Sequence, residues 1–92
     1  MVANAADADD GAIEWSVRDC MSNSGQSCNA PTRMLVEASR YDAAVLEATA
    51  VAASIKVGPT TEAGDHLGPV VNKTQWDKIQ GMIQVGIDEG AA

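Results

Sequence analysis

The chain has 92 residues, 46% of them apolar, a formal net charge of −7 and three aromatic side chains, Trp15, Trp76 and Tyr41. That length holds one small domain or part of a larger one, and an apolar content carried heavily by alanine buries modest area at roughly 25 cal/mol per Å². The acidic balance argues against nucleic acid or an anionic membrane surface as partner, since either needs a basic face. No stretch approaches the roughly 18 apolar residues of a membrane span, and no basic-then-apolar leader follows Met1-Val2-Ala3-Asn4. The location expected from these features is the cytoplasm. A chain this short buries only a little over half of its unfolded surface, so marginal stability and dependence on association are expected. Cys20 and Cys28 do not make a disulfide framework, and with the single histidine, His66, they fall short of a zinc ligand set. No metal site is expected.

In chain order, Asp7, Asp9 and Asp10 precede an apolar rhythm at Ile13, Val17, Cys20 and Met21. This i, i+4, i+7, i+8 spacing predicts a helix with one buried face and an acidic start that suits its macrodipole. Gly25 stands where a left-handed residue would stop it. Cys20 then belongs to the packed face, whereas Cys28 lies beyond the helix in a turn of small residues. The short run Thr32-Arg33-Met34-Leu35-Val36 predicts a strand. Ser39 with Asp42 reads as a helix start of the capping-box kind. Tyr41, Val45, Ala48, Ala52 and Ile55 mark the inner face of that helix, which ends at Lys56, Gly58 and Pro59. A loop runs from Pro59 to Pro69. Asn72 with Gln75 is a second capping signal, with Val71 and Trp76 as a hydrophobic staple. The third helix turns Trp76, Ile79, Ile83 and Ile87 inward and stops near Gly90, although Gly81 and Gly86 weaken it by roughly 1 kcal/mol each.

The order is helix, strand, helix, helix: an α+β, mostly helical piece. One strand cannot satisfy its own backbone groups. The strand at 32–36 is therefore expected to pair with another chain, through a two-fold contact that makes a homo-oligomer.

The stretch Asn23-Ser24-Gly25-Gln26-Ser27-Cys28-Asn29-Ala30 resembles the active-site pattern N-x-G-Q-x-C-x-A of the aldehyde dehydrogenase superfamily. The likeness continues through Pro31-Thr32-Arg33-Met34-Leu35-Val36. It extends upstream to Ala6-Asp7-Ala8-Asp9 and Glu14-Trp15-Ser16-Val17-Arg18. Downstream it takes in Val57-Gly58, Leu67-Gly68-Pro69-Val70-Val71 and Gly86-Ile87-Asp88-Glu89-Gly90-Ala91. The resemblance implies that residues 1–92 are a single partial domain, the nucleophile-bearing part of an α/β catalytic domain.

It further implies a chemistry. The cysteine at the position of Cys28 attacks an aldehyde carbonyl, its backbone N–H helps to hold the oxyanion, and the thiohemiacetal gives hydride to NAD(P), leaving a thioester for hydrolysis to the acid. A thiol suits the first step because it is intrinsically nucleophilic. Small neighbours suit it because the carbon must come within about 3 to 3.5 Å of the sulfur. Gly25 and Gln26 match the motif as turn-forming residues without a bond-making role.

The 92 residues do not contain the family's L-E-L-G-G-K-like stretch with its general-base glutamate, its asparagine oxyanion donor, its nucleotide-binding domain or its E-x-F-G-P segment. Met21 stands where Phe is usual, and Val57-Gly58-Pro59 lacks the Asp often found after that glycine. Each lost oxyanion donor or base costs about 10² to 10⁴ in rate. The expectation is that the isolated chain binds no cofactor and does not turn over, NAD(P) and an aldehyde belonging to the complete enzyme. The other readings are a non-catalytic oligomerising module and a weak thiol esterase at Cys28. His66 reads as a solvated loop residue, with nothing in the spacing to bring it to Cys28. Arg33 and Arg40 read as surface residues.

Overall fold

A computed structural model describes residues 11–91. The acids Asp7, Asp9 and Asp10 expected at the first helix start lie outside the described residues.

Helix α1 spans Ala12–Met21, entered from Gly11 in a left-handed conformation. Ile13 is 3% exposed and Ser16 is buried beside it, with Val17, Cys20 and Met21 half-buried, so the helix presents the face that its periodicity marks. On its outer side Glu14 and Arg18 form an i,i+4 ion pair at 2.8 Å. The helix ends at Met21, before the expected Gly25, and passes into the tight turn Ser22–Gly25.

Helix α2 spans Tyr41–Ser54 and follows a short 3₁₀ turn, Ala38–Arg40. Ser39 falls inside that turn, and its hydroxyl donates to Glu37 Oε1 at 2.9 Å, so it does not cap α2. Capping requires an extended backbone just outside the helix, and the residue in that position is Arg40, in a helical conformation. The buried residue of α2 is Ala44, 4% exposed, whereas Tyr41 and Val45 are exposed. The helix is apolar around most of its circumference, so periodicity selects no stripe, and the small Ala44 seats it closely against α1. The core sits at this α1–α2 crossing. Ala48, Ala52 and Ile55, on the expected inner face, are half-buried.

Beyond α2, Val57 and Leu67 form an isolated parallel bridge: Gly58 N–H donates to the Leu67 carbonyl and Leu67 N–H to the Lys56 carbonyl, both at 2.9 Å. Residues 59–66 loop between them. The strand expected at Thr32–Val36 is not formed, and no other ladder exists among the described residues. The composition of a strand is present there, but a strand exists only against a neighbour that takes its hydrogen bonds, and the described chain brings none to this segment.

Helix α3 spans Lys73–Asp88. Asn72 caps it as expected: the backbone is extended, and Asn72 Oδ1 accepts from Gln75 N–H at 2.9 Å. Lys73 Nζ pairs with Asp77 at 2.7 Å and lies 5.9 Å from the centre of the Trp76 ring. The expected inward face is exposed instead: Trp76, Ile79, Ile83 and Ile87 all stand in solvent, with Trp76 at 52%. Their i, i+3, i+7, i+11 placement is that of a packed stripe, yet each remains exposed among the described residues. Val71, expected to staple against Trp76, is exposed too. No helix among the described residues is long and apolar enough to cross a membrane.

Gly81 meets open space where a Cβ would sit, so within the described chain it carries helix cost without a packing reason. Gly81→Ala is expected to stabilise α3 by about 0.5–1 kcal/mol, and Asn72→Ala to weaken it by about 1 kcal/mol. Thermal unfolding followed by helical circular dichroism checks both signs.

Candidate active site

The region after α1 is built from backbone that few residues adopt. Asn23, Ser24 and Gly25 take φ of 53°, 58° and 74°, three left-handed residues in succession. For Gly25 this is free of penalty, and Asn tolerates it better than most; for an ordinary L-residue it costs about 1–2 kcal/mol. The conformation is held by side chains. Gln26 N–H donates to the Asn23 carbonyl at 3.1 Å, and Gln26 Nε2 donates to the same carbonyl at 2.9 Å. Asn23 Nδ2 returns a bond to the Gln26 carbonyl at 3.3 Å.

Two further bonds tie this turn to the segment ahead of α3. The Ser24 hydroxyl donates to the Gly68 carbonyl at 2.5 Å, and Gln26 Oε1 accepts from Val71 N–H at 2.8 Å. Each spans more than forty residues of chain. Gln26 is thus a turn-forming residue, as the motif implies, and its side chain in addition ties the turn to Val71, a contact the sequence does not display. A glutamine three residues after an asparagine, before a small-residue turn, was the available signal, but its long-range partner is a backbone N–H that any residue supplies.

Cys28 follows in a second turn, Ser27 to Ala30, closed by Ala30 N–H to the Ser27 carbonyl at 3.1 Å. That bond leaves the Cys28 N–H outside it. Cys28 is a free, exposed cysteine, whereas Cys20 is free and half-buried. The groove behind the loop, 590 Å³, is lined by Cys20, Met21, Ile55, Leu67, Val70 and Trp76 among others, and Cys28 is not among its walls. The two cysteines therefore face different surroundings.

His66 is not brought to Cys28. Its Nε2 lies 3.0 Å from the Pro59 carbonyl, which can only accept, so that nitrogen carries the proton. The ring lies over Gly58, where an added Cβ would be 2.7 Å from Cδ2. Gly58 thus belongs to the loop's packing. The paired acids lie on the helices, Glu14 with Arg18 on α1 and Asp77 with Lys73 on α3. Among the described residues no group of three or more His, Cys, Asp or Glu could hold a metal ion.

A family model described as the aldehyde dehydrogenase family matches residues 1–92. The chain belongs to the aldehyde dehydrogenase family. It is 41% identical over 80 residues to 3-succinoylsemialdehyde-pyridine dehydrogenase of Pseudomonas sp, a match covering 87% of this chain and 17% of that protein. It is also similar to a crystal structure of aldehyde dehydrogenase from Bartonella henselae, with 56% identity and a TM-score of 0.88 over 97% of this chain and 18% of that one. A Bacillus cereus aldehyde dehydrogenase structure matches with 29% identity, a TM-score of 0.84 and 98% coverage of this chain, again 18% of that one. The chain thus spans under a fifth of the length of the relatives it matches, and over that span it has the aldehyde dehydrogenase course.

Gly58→Ala forces the His66 ring to move and is expected to cost about 1–3 kcal/mol of stability, as overpacking does. Adding His66→Ala should return most of that loss. A double-mutant cycle from urea unfolding checks the coupling.

Proposed function

We propose that this chain supplies the nucleophile segment of an NAD(P)-dependent aldehyde-oxidising enzyme, with Cys28 as the nucleophile. The observation that supports this most is the exposed Cys28 thiol on a turn whose approach is fixed by Ser24 and Gln26. In the first step the Cys28 thiol gives up its proton, the sulfur bonds to the aldehyde carbon, and the carbonyl π electrons move to oxygen. A proton equivalent to the one released by sulfur completes the thiohemiacetal. The Cys28 N–H, outside the bond that closes its turn, is the donor available to that oxygen. This step is redox-neutral and asks nothing beyond thiol and aldehyde.

Oxidation to the thioester and hydrolysis belong to the complete enzyme, where NAD(P) accepts the hydride. A dinucleotide needs backbone N–H groups converging on its phosphates. At the junction leading into α3, Val71 N–H is given to Gln26 and Gln75 N–H to the Asn72 cap. The described residues do not fit the group, and the steps assigned to this chain stop at the thiohemiacetal. The reading extends to residues 1–92 as one partial catalytic domain, working in the cytoplasm and inactive as a dehydrogenase by itself. Its substrate class is an aldehyde; the acyl group is set by residues elsewhere in such an enzyme.

A second reading, an oligomerising module, is favoured by apolar surface standing in solvent on α3 and at Leu35, within the 32–36 segment that forms no ladder. It is compatible with the first, since a homo-oligomer through 32–36 would supply the missing ladder.

In a Cys20→Ser background, a millimolar small aldehyde is expected to slow iodoacetamide labelling of Cys28 reversibly, with no absorbance of reduced cofactor when NAD is added. Aldehyde-independent labelling would contradict the nucleophile assignment. Cofactor reduction abolished by Cys28→Ser would contradict the inactivity. A sedimentation mass at the 9.5 kDa monomer at micromolar concentration would remove the second reading.

A further inference from the structure

We infer that Gln26 is the positioning residue of the nucleophile loop, setting where Cys28 stands through a side-chain amide engaged at both ends. The assignment rests on Cys28 being the nucleophile. The Gln26 oxygen accepts from Val71 N–H, and its nitrogen donates to the Asn23 carbonyl. The Asn23 carbonyl also takes the Gln26 N–H, and the Asn23 amide donates back to the Gln26 carbonyl. Asn23 and Gln26 thus clasp each other across the left-handed turn, and Val71 fixes where the clasp sits relative to α3. Cys28 lies two residues beyond.

The side chain has to be an amide of this length. It must accept and donate from one planar end, which Leu cannot do at all and Glu can do only as acceptor. Asn is one methylene, about 1.5 Å, shorter and cannot span from its own backbone to Val71 while holding Asn23. Gln26, Asn23 and Val71 are all exposed, so water competes for each bond and the clasp selects a conformer more than it supports the whole fold. Losing one such bond lowers the occupancy of the held conformer by about fivefold.

The test is amide exchange and resonance assignment of the ¹⁵N-labelled 92-residue chain by nuclear magnetic resonance. In the wild type the Val71 amide should exchange well below its intrinsic rate, and Asn23 and Ser24 should show the strong amide-to-alpha contacts of positive φ. Gln26→Leu should speed Val71 exchange by about fivefold or more, erase the Asn23 signature and move the Cys28 amide resonance. Gln26→Glu keeps the acceptor, so Val71 stays protected. Its donor returns only when the carboxyl is protonated, so the Cys28 resonance should follow pH between about 3 and 6 in this variant, beyond any shift in the wild type. Because a nearby charge alone can move that resonance, the deciding sign is the Asn23 positive-φ contact in the same variant, which should weaken as the carboxyl ionises and return when it is protonated. Wild-type Val71 exchanging at its intrinsic rate overturns the assignment, as does a Gln26→Leu chain with Asn23 and Cys28 unmoved. Should Gln26→Leu unfold the chain, the Gln26→Glu titration decides, and an Asn23 positive-φ signature or a Cys28 resonance indifferent to it overturns the assignment equally. None of these readouts involves aldehyde or cofactor, so they stand apart from the labelling test of the nucleophile.

Discussion

Everything that makes this chain chemically interesting hangs on a left-handed turn of three residues and the bonds that hold it. Asn23, Ser24 and Gly25 leave α1 in a conformation costing about 1–2 kcal/mol at each non-glycine position. The bonds from Asn23, Ser24 and Gln26 contribute about 0.5–1.5 kcal/mol each, enough to offset that cost without a large surplus. Two of them reach Gly68 and Val71, so the end of α1 and the approach to α3 are joined across the chain. The turn carrying Cys28 begins one residue after this knot. A thiol presented in solvent, on backbone fixed behind it, is what nucleophilic attack on a carbonyl requires.

The same geometry explains how much of the site could be read in the sequence. Local signals were legible because local forces decide them: the α1 face through Ile13 and the Asn72 cap came out as expected, and Gly25 is left-handed although α1 already ends at Met21. The motif around Cys28 was legible for the same reason, being a contiguous run, and the family it pointed to is the one whose model matches residues 1–92. What the sequence did not disclose depends on partners. Gln26 and Ser24 bond to backbone groups more than forty residues away, and a backbone N–H or carbonyl leaves no mark in composition. Among the described residues Thr32–Val36 has the composition of a strand but no pairing neighbour, and the α3 stripe has the spacing of a buried face but stays exposed. For α2, alanine on several sides blurred the stripe, and the smallest side chain, Ala44, became the buried one.

These departures share one cause. The likeness to the Bartonella henselae enzyme holds over nearly the whole of this chain but only 18% of that one, at a TM-score of 0.88. A chain with the course of part of an aldehyde dehydrogenase shares that stretch's patterning, including apolar residues that the described residues leave exposed. Within the described residues the packed core is limited to the α1–α2 crossing around Ile13, Ser16 and Ala44. Stability at that crossing and geometry at the Cys28 loop are thus set by different interactions, the first mainly apolar packing, the second hydrogen bonds.

The most direct probe of the account is a through-hydrogen-bond scalar coupling between the Val71 amide nitrogen and the Gln26 side-chain carbonyl carbon in the isotope-labelled chain. A resolved coupling, with close contacts between Ser24 and Gly68 protons, is the predicted result. A well-dispersed, folded chain that shows neither would mean that the loop behind Cys28 is not tied to the segment ahead of α3, and the account would fail.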